Sequence, residues 1–184
     1  LCDASGLLTD LLQKLSGEDG STWLRATGKM LRRENPWEVL KADFPTWRTL
    51  KLGTGLKTAD QFRTAIKKLK FKIGDWADSI LGKVTGGDTE SEVELVLVTV
   101  GELGFPNGAK RSEIYARAEE LGLVLCSPEV GPQLRLQYTD QPIGEWILVG
   151  MEPIAASSGY LKVFNVERRD DDTWLDSNNG NPVN

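Results

Sequence analysis

Four glutamates stand at the ends of apolar segments: Glu102, Glu129, Glu145 and Glu152. Paired carboxylates do general acid–base work. Hydrolysis of a glycosidic bond needs two flanking it, ~5–5.5 Å apart for retention and ~6.5–9.5 Å for inversion. One of them must be held protonated, which burial beside apolar residues favours. Glu129 lies between Pro128 and Val130, and Glu152 follows the apolar run 146–151 and precedes Pro153. These two are the expected catalytic pair, with Glu102 third, although an ordinary surface or loop acid is the plainer reading of any one alone. The 184 residues contain no histidine. Within this chain that excludes Ser-His-Asp and Cys-His nucleophiles and His-ligated zinc, and it leaves carboxylate chemistry and binding.

Tryptophan is frequent, with 6 in 184 residues. Aromatic faces stack on sugars and anchor protein interfaces. Trp23 and Trp76 fall on apolar helix stripes and read as core, whereas Trp37, Trp47, Trp146 and Trp174 stay available to a ligand. The expected ligand contacts are Tyr138, Trp146, Arg135 and Trp174.

Other signals are weaker. Gly53-Thr54-Gly55-Leu56-Lys57-Thr58 opens a helix, and a glycine loop there can cradle phosphate through backbone N–H groups. A Walker loop needs Gly directly before Lys, however, and Leu56 intervenes, so a turn with a helix cap is the better reading. The basic run Arg63, Lys67, Lys68, Lys70 and Lys72 fits phosphate contacts or, more simply, a solvated helix face. Asp170-Asp171-Asp172 lacks EF-hand spacing and reads as a solvated turn. Cys126, in Leu123-Val124-Leu125-Cys126, reads as a small buried hydrophobe. No cofactor and no metal-ligand set is expected.

Net charge is −5 and unevenly spread. Residues 1–84 carry a balance of +5 and residues 85–184 a balance of −10. Three functions compete. The first is a small hydrolase using two carboxylates, with glycosidic bonds as its substrate class. The alternative is a non-catalytic protein- or glycan-binding module whose oppositely charged halves are its recognition surfaces. The third, nucleic-acid binding through the basic helix 57–72, is opposed by the overall acidity. The expected partners are thus a carbohydrate or a protein, with neither nucleic acid nor membrane. The apolar runs are too short for a membrane span. Leu1-Cys2-Asp3 opens no secretory signal, so a cytoplasmic location is expected.

The elements that must position these residues follow from periodicity. Leu7, Leu8, Leu11, Leu12 and Leu15 share one helix stripe, and Trp23, Leu24, Thr27, Met30 and Leu31 a second that ends at Asn35-Pro36. Thr58 and Gln61 form a capping box for a third helix with Phe62, Ala65, Ile66 and Leu69 inward. A short fourth helix spans 75–81. Beyond the polar linker 85–92 the period changes. Val93 to Val100 reads as a buried central strand, 112–121 as a helix, and Leu134, Leu136 and Tyr138 as a half-exposed strand. Trp146 to Met151 and Tyr160 to Val166 complete an antiparallel meander. The expected fold is α+β: a helical subdomain over residues 1–84 packed on a small, mainly antiparallel sheet subdomain over 93–175 with one crossing helix. Residues 176–184 form a disordered tail.

Leu125 to Tyr138 (LCSPEVGPQLRLQY), Leu52 to Asp60 (LGTGLKTAD), Asp75-Trp76-Ala77-Asp78 and Met151-Glu152-Pro153-Ile154 carry a resemblance. With these motifs the chain resembles a family of bacterial hypothetical proteins of the candidate-phyla type. The resemblance covers most of the chain and implies no activity. It does imply one more aromatic and basic strand beyond a position like Asn184.

Overall fold

Leucine spacing builds the first unit, which contains a pair of helices. α1 (Ala4–Ser16) and α2 (Gly20–Leu31) follow the two sequence stripes. Leu11, Leu15 and Trp23 are half-buried and Ala26 is buried, while Leu8, Leu12, Leu24 and Leu31 stay exposed. Lys14 places its ammonium 4.5 Å from the Trp23 ring centre. The computed structural model describes residues 4–17, 20–32 and 44–183, and the chain divides into units Leu1–Leu40 and Lys41–Asn184. Cys2, the helix stop at Asn35-Pro36 and Trp37 lie outside the described residues.

The second unit is α+β. In chain order it contains β1 (Arg48–Leu52), α3 (Ala59–Lys68), β2 (Lys72–Ile73), α4 (Asp75–Leu81), β3 (Ser91–Leu95), α5 (Arg111–Glu120), α6 (Val130–Gln137), β4 (Trp146–Leu148), β5 (Ile154–Ala155), β6 (Leu161–Arg169) and β7 (Asp172–Asn179). The main sheet has the order β2-β7-β6-β4, with β5 also on β6. Its pairings are antiparallel except for β2 against β7. A second, two-stranded sheet pairs β1 with β3.

Alternation on the strands separates an inner face from an outer one. Ile147, Val166, Leu175 and Ile73 lie in register across four strands and belong to the core. Phe164 lies on the same side, where α6 presses Gly131 against it: a Cβ at Gly131 would stand 2.5 Å from the Phe164 ring. The Thr58–Gln61 capping box sets α3, which buries Phe62 and Ile66 completely. Each contributes about 1.5–3 kcal/mol of apolar burial.

Several expectations are corrected. Residues 134–137 belong to α6, a helix, and Tyr138 is its C-cap. Its first turn accepts Pro132, whose missing N–H is unneeded there, and burial on nearly every side hides the helical period that would identify it. Of the run 93–100 only residues 93–95 are strand, the end of β3 in the two-stranded sheet; irregular chain follows, and Leu97 is 49% exposed. Residues 85–92 separate no subdomains, because β3 starts at Ser91 and pairs with β1 across that segment. Residues 176–179 are no loose tail but the end of β7, zipped to β6 as far as the pair Lys162–Asn179. Trp76 is 41% exposed rather than core.

Candidate functional site

Of the three expected catalytic glutamates, Glu129 alone is buried. It occupies the N-cap of α6, and its carboxylate reaches two glycine loops. Oε1 accepts the Gly53 N–H at 2.8 Å and the Gln133 amide at 2.9 Å, and Oε2 accepts the Gly87 N–H at 2.8 Å. Gly53 has φ +63, and a Cβ there would strike the Thr89 carbonyl oxygen at 2.0 Å, so only glycine fits. The phosphate cradle suggested by the 53–58 loop thus already holds an anion, the chain's own carboxylate. With N–H donors on both oxygens, Glu129 serves the fold as a hydrogen-bond acceptor that joins the two loops to α6.

The other two glutamates are elsewhere. Glu102 is exposed, and its Oε2 accepts the Thr99 N–H at 2.7 Å and the Thr99 hydroxyl at 2.8 Å. The Thr99 donors hold its carboxyl below the usual range. Glu152 is exposed beside Met151, which bridges to Cys126. No hydrogen bond joins the three to one another: Glu129 is held by the glycine loops, whereas Glu102 and Glu152 are exposed. Burial pushes the Cys126 thiol up, which makes it inert, as expected of a structural cysteine.

Arg135 and Tyr138 are internal and not ligand contacts. Arg135 is fully buried. Nη1 donates to Gln141 Oε1 at 2.6 Å and to the Trp174 carbonyl at 3.3 Å, and Nη2 donates to the Tyr138 carbonyl. Its guanidinium sits 5.0 Å from the Phe71 ring. Among the described residues no carboxylate pairs with it, and burial, with Arg168 nearby, lowers its pKa to about 10. The Tyr138 hydroxyl donates to Glu145 Oε2 at 2.6 Å, under Arg48 and edge-on to Trp47. Burial and the Glu145 carboxylate push it up to about 12.

Trp146 and Trp174, by contrast, come together. β6 pairs Glu167 with Trp146 on one side and with Trp174 on the other. Directly paired residues share a sheet face, so the two indoles flank one carboxylate, on strands about 10 Å apart. Arg169, two residues along β6, shares that face. Its Nη2 donates to Glu167 Oε1 and, at 2.8 Å, to Asp176 Oδ2. The Trp174 ring is flanked by cations, with Arg169 at 5.3 Å and Lys72 at 5.2 Å. Trp146 remains 46% exposed.

Sequence reasoning missed Glu167, Arg169 and Asp176. A signal was present: two alternating runs separated by Asp170-Asp171 spell a hairpin. Asp170 adopts φ +48 at that turn, and the pair Arg169–Asp172 that it sets places Glu167 opposite Trp174.

Comparison with protein families, with curated proteins and with solved structures finds no match for this chain. Among the described residues no helix is long and apolar enough to cross a membrane.

Proposed function

We propose that the protein is a glycan-binding module, and that the outer-face row Trp146–Glu167–Trp174 is its recognition platform. The observation that supports this is the strand register, which sets two indoles either side of an anchored carboxylate. Indole faces take the apolar faces of sugar rings. Arg169 offers guanidinium donors to hydroxyls, and its ion pairs with the buried Glu167 and with Asp176 leave little net charge to repel a neutral glycan. Binding of soluble β- and α-linked polysaccharides, followed by calorimetry and by tryptophan fluorescence, tests this. Binding that is lost in Trp146→Ala supports it, and a panel with no binder, or binding indifferent to that change, rejects it.

A second reading, hydrolysis, keeps one supporting observation. Glu167 and Asp176 touch the same guanidinium nitrogen, so they stand within two hydrogen-bond lengths, the scale of a retaining pair at ~5–5.5 Å. Against it, the Arg169 guanidinium already engages both carboxylates in ion pairs. Turnover of chromogenic glycosides that disappears in a folded Glu167→Gln variant would place hydrolysis first.

A further inference from the structure

A cleft of about 470 Å³ opens between the loop 83–91 and the turn 127–129, at a volume that suits a small ligand. Glu129 lies in its lining at 5% exposure, beside hydroxyl side chains of Thr85, Ser91 and Ser127. Three N–H donors reach the Glu129 carboxylate, two on Oε1 and one on Oε2. A carboxylate has about four acceptor positions, so Oε2 keeps one vacant. None of the ion pairs among the described residues involves Glu129. Lys83, itself in the cleft lining, donates to the Ala155 carbonyl at 2.6 Å, and Lys57 donates to the Gly87 carbonyl and pairs with Asp88 at 2.9 Å. A buried negative charge with donors but no cation, facing a hydroxyl-lined cleft, is complementary to an ammonium on a polyol frame.

We infer that this cleft binds a small hydroxylated amine, with its ammonium on Glu129 Oε2 and its hydroxyls on Thr85, Ser91 and Ser127. Gly87 is the gate. A Cβ there would stand 3.3 Å from Oε2, so a side chain at this position would crowd the carboxylate. The site is separate from the tryptophan row and does not depend on the glycan reading.

The test uses glucosamine and glucose, which match in shape and differ at one ammonium, at about pH 6, where the amine stays protonated. The Gly53 and Gly87 amide protons point at Glu129 and report on it directly by NMR. A saturable shift of both amides with glucosamine is expected, with glucose at least about tenfold weaker, the scale of one charge-assisted hydrogen bond. In Gly87→Ala, followed at the Gly53 amide, glucosamine binding should weaken about tenfold. No saturable shift with glucosamine, an equal response to glucose, or a folded Gly87→Ala that binds like the wild type would overturn the inference. The comparison of the two sugars on the wild-type chain decides the matter even where the variant fails to fold.

Discussion

The Gly53 N–H donates to Glu129 Oε1 at 2.8 Å, across 76 residues of chain. With the matching bond from Gly87, this carboxylate ties the loop after β1 to the loop before β3 and to the start of α6. Replacing it with an amide turns one acceptor into a donor that faces an N–H. Glu129→Gln should therefore destabilise the second unit by about 1–3 kcal/mol, the range for a buried polar group left unpaired. A lower urea midpoint with an unchanged slope is the expected reading, and a wild-type midpoint would show that the loops hold themselves.

Arg135 poses the opposite problem, a buried cation with carbonyl partners and no anion. Arg135→Met relieves the desolvated charge but strands Gln141 Oε1 and two backbone carbonyls. Stranded acceptors outweigh the relief, and the expected net loss is about 2 kcal/mol. Arg135→Lys should lose as much, because an ammonium cannot span three acceptors in a planar fork. Chemical denaturation checks both. A stabilised Met variant would mean that desolvation dominates, as it does for some buried ion groups.

Tyr138 gives a pH-dependent prediction. Its hydroxyl is raised from 10.0 to about 12 in the folded protein by burial and by Glu145. The folded state then holds this proton more tightly than the unfolded state does. The associated stability is complete below pH 10 and falls away as pH rises towards 12. Arg135, lowered to about 10, acts in the opposite direction over the same window, so the wild type alone does not isolate the tyrosine. The difference between wild type and Tyr138→Phe does: the stability advantage of the wild type should shrink from pH 10 upwards. A constant difference would mean that Tyr138 titrates normally.

Much of the architecture was legible because local signals agreed with one another. The Thr58–Gln61 box and the 3.6-residue spacing of Phe62 and Ile66 mark α3, and Gly82 marks the end of α4. α6 was hidden, because Leu134, Leu136 and Tyr138 mimic a strand period while Val130 to Arg135 are all buried for tertiary reasons. The candidate site was half legible. Trp146 and Trp174 stand out by residue type, but what joins them is the register between β4, β6 and β7, a non-local property. Arg135 failed as a site residue for a related reason: a charged residue in sequence carries no mark of whether the fold satisfies it internally.

The two tryptophans of the row should separate recognition from stability. Trp146 lies on the edge strand β4 and is 46% exposed. Truncating it removes little buried surface, and Trp146→Ala should change stability by no more than about 0.5 kcal/mol. Trp174 lies between β2 and β6, with Lys72 and Arg169 against its ring. Two cation–π contacts at about 0.5–1 kcal/mol each, together with lost packing, put Trp174→Ala at about 1–3 kcal/mol. If the row is a sugar platform, glycan affinity falls in both variants, although only one of them is destabilised. If both lose stability together and neither affects binding, the indoles are packing elements of the sheet and the platform lies elsewhere. Thermal unfolding and calorimetry on the same two variants read these two quantities independently, so a fall in affinity for Trp146→Ala at wild-type stability cannot be attributed to misfolding.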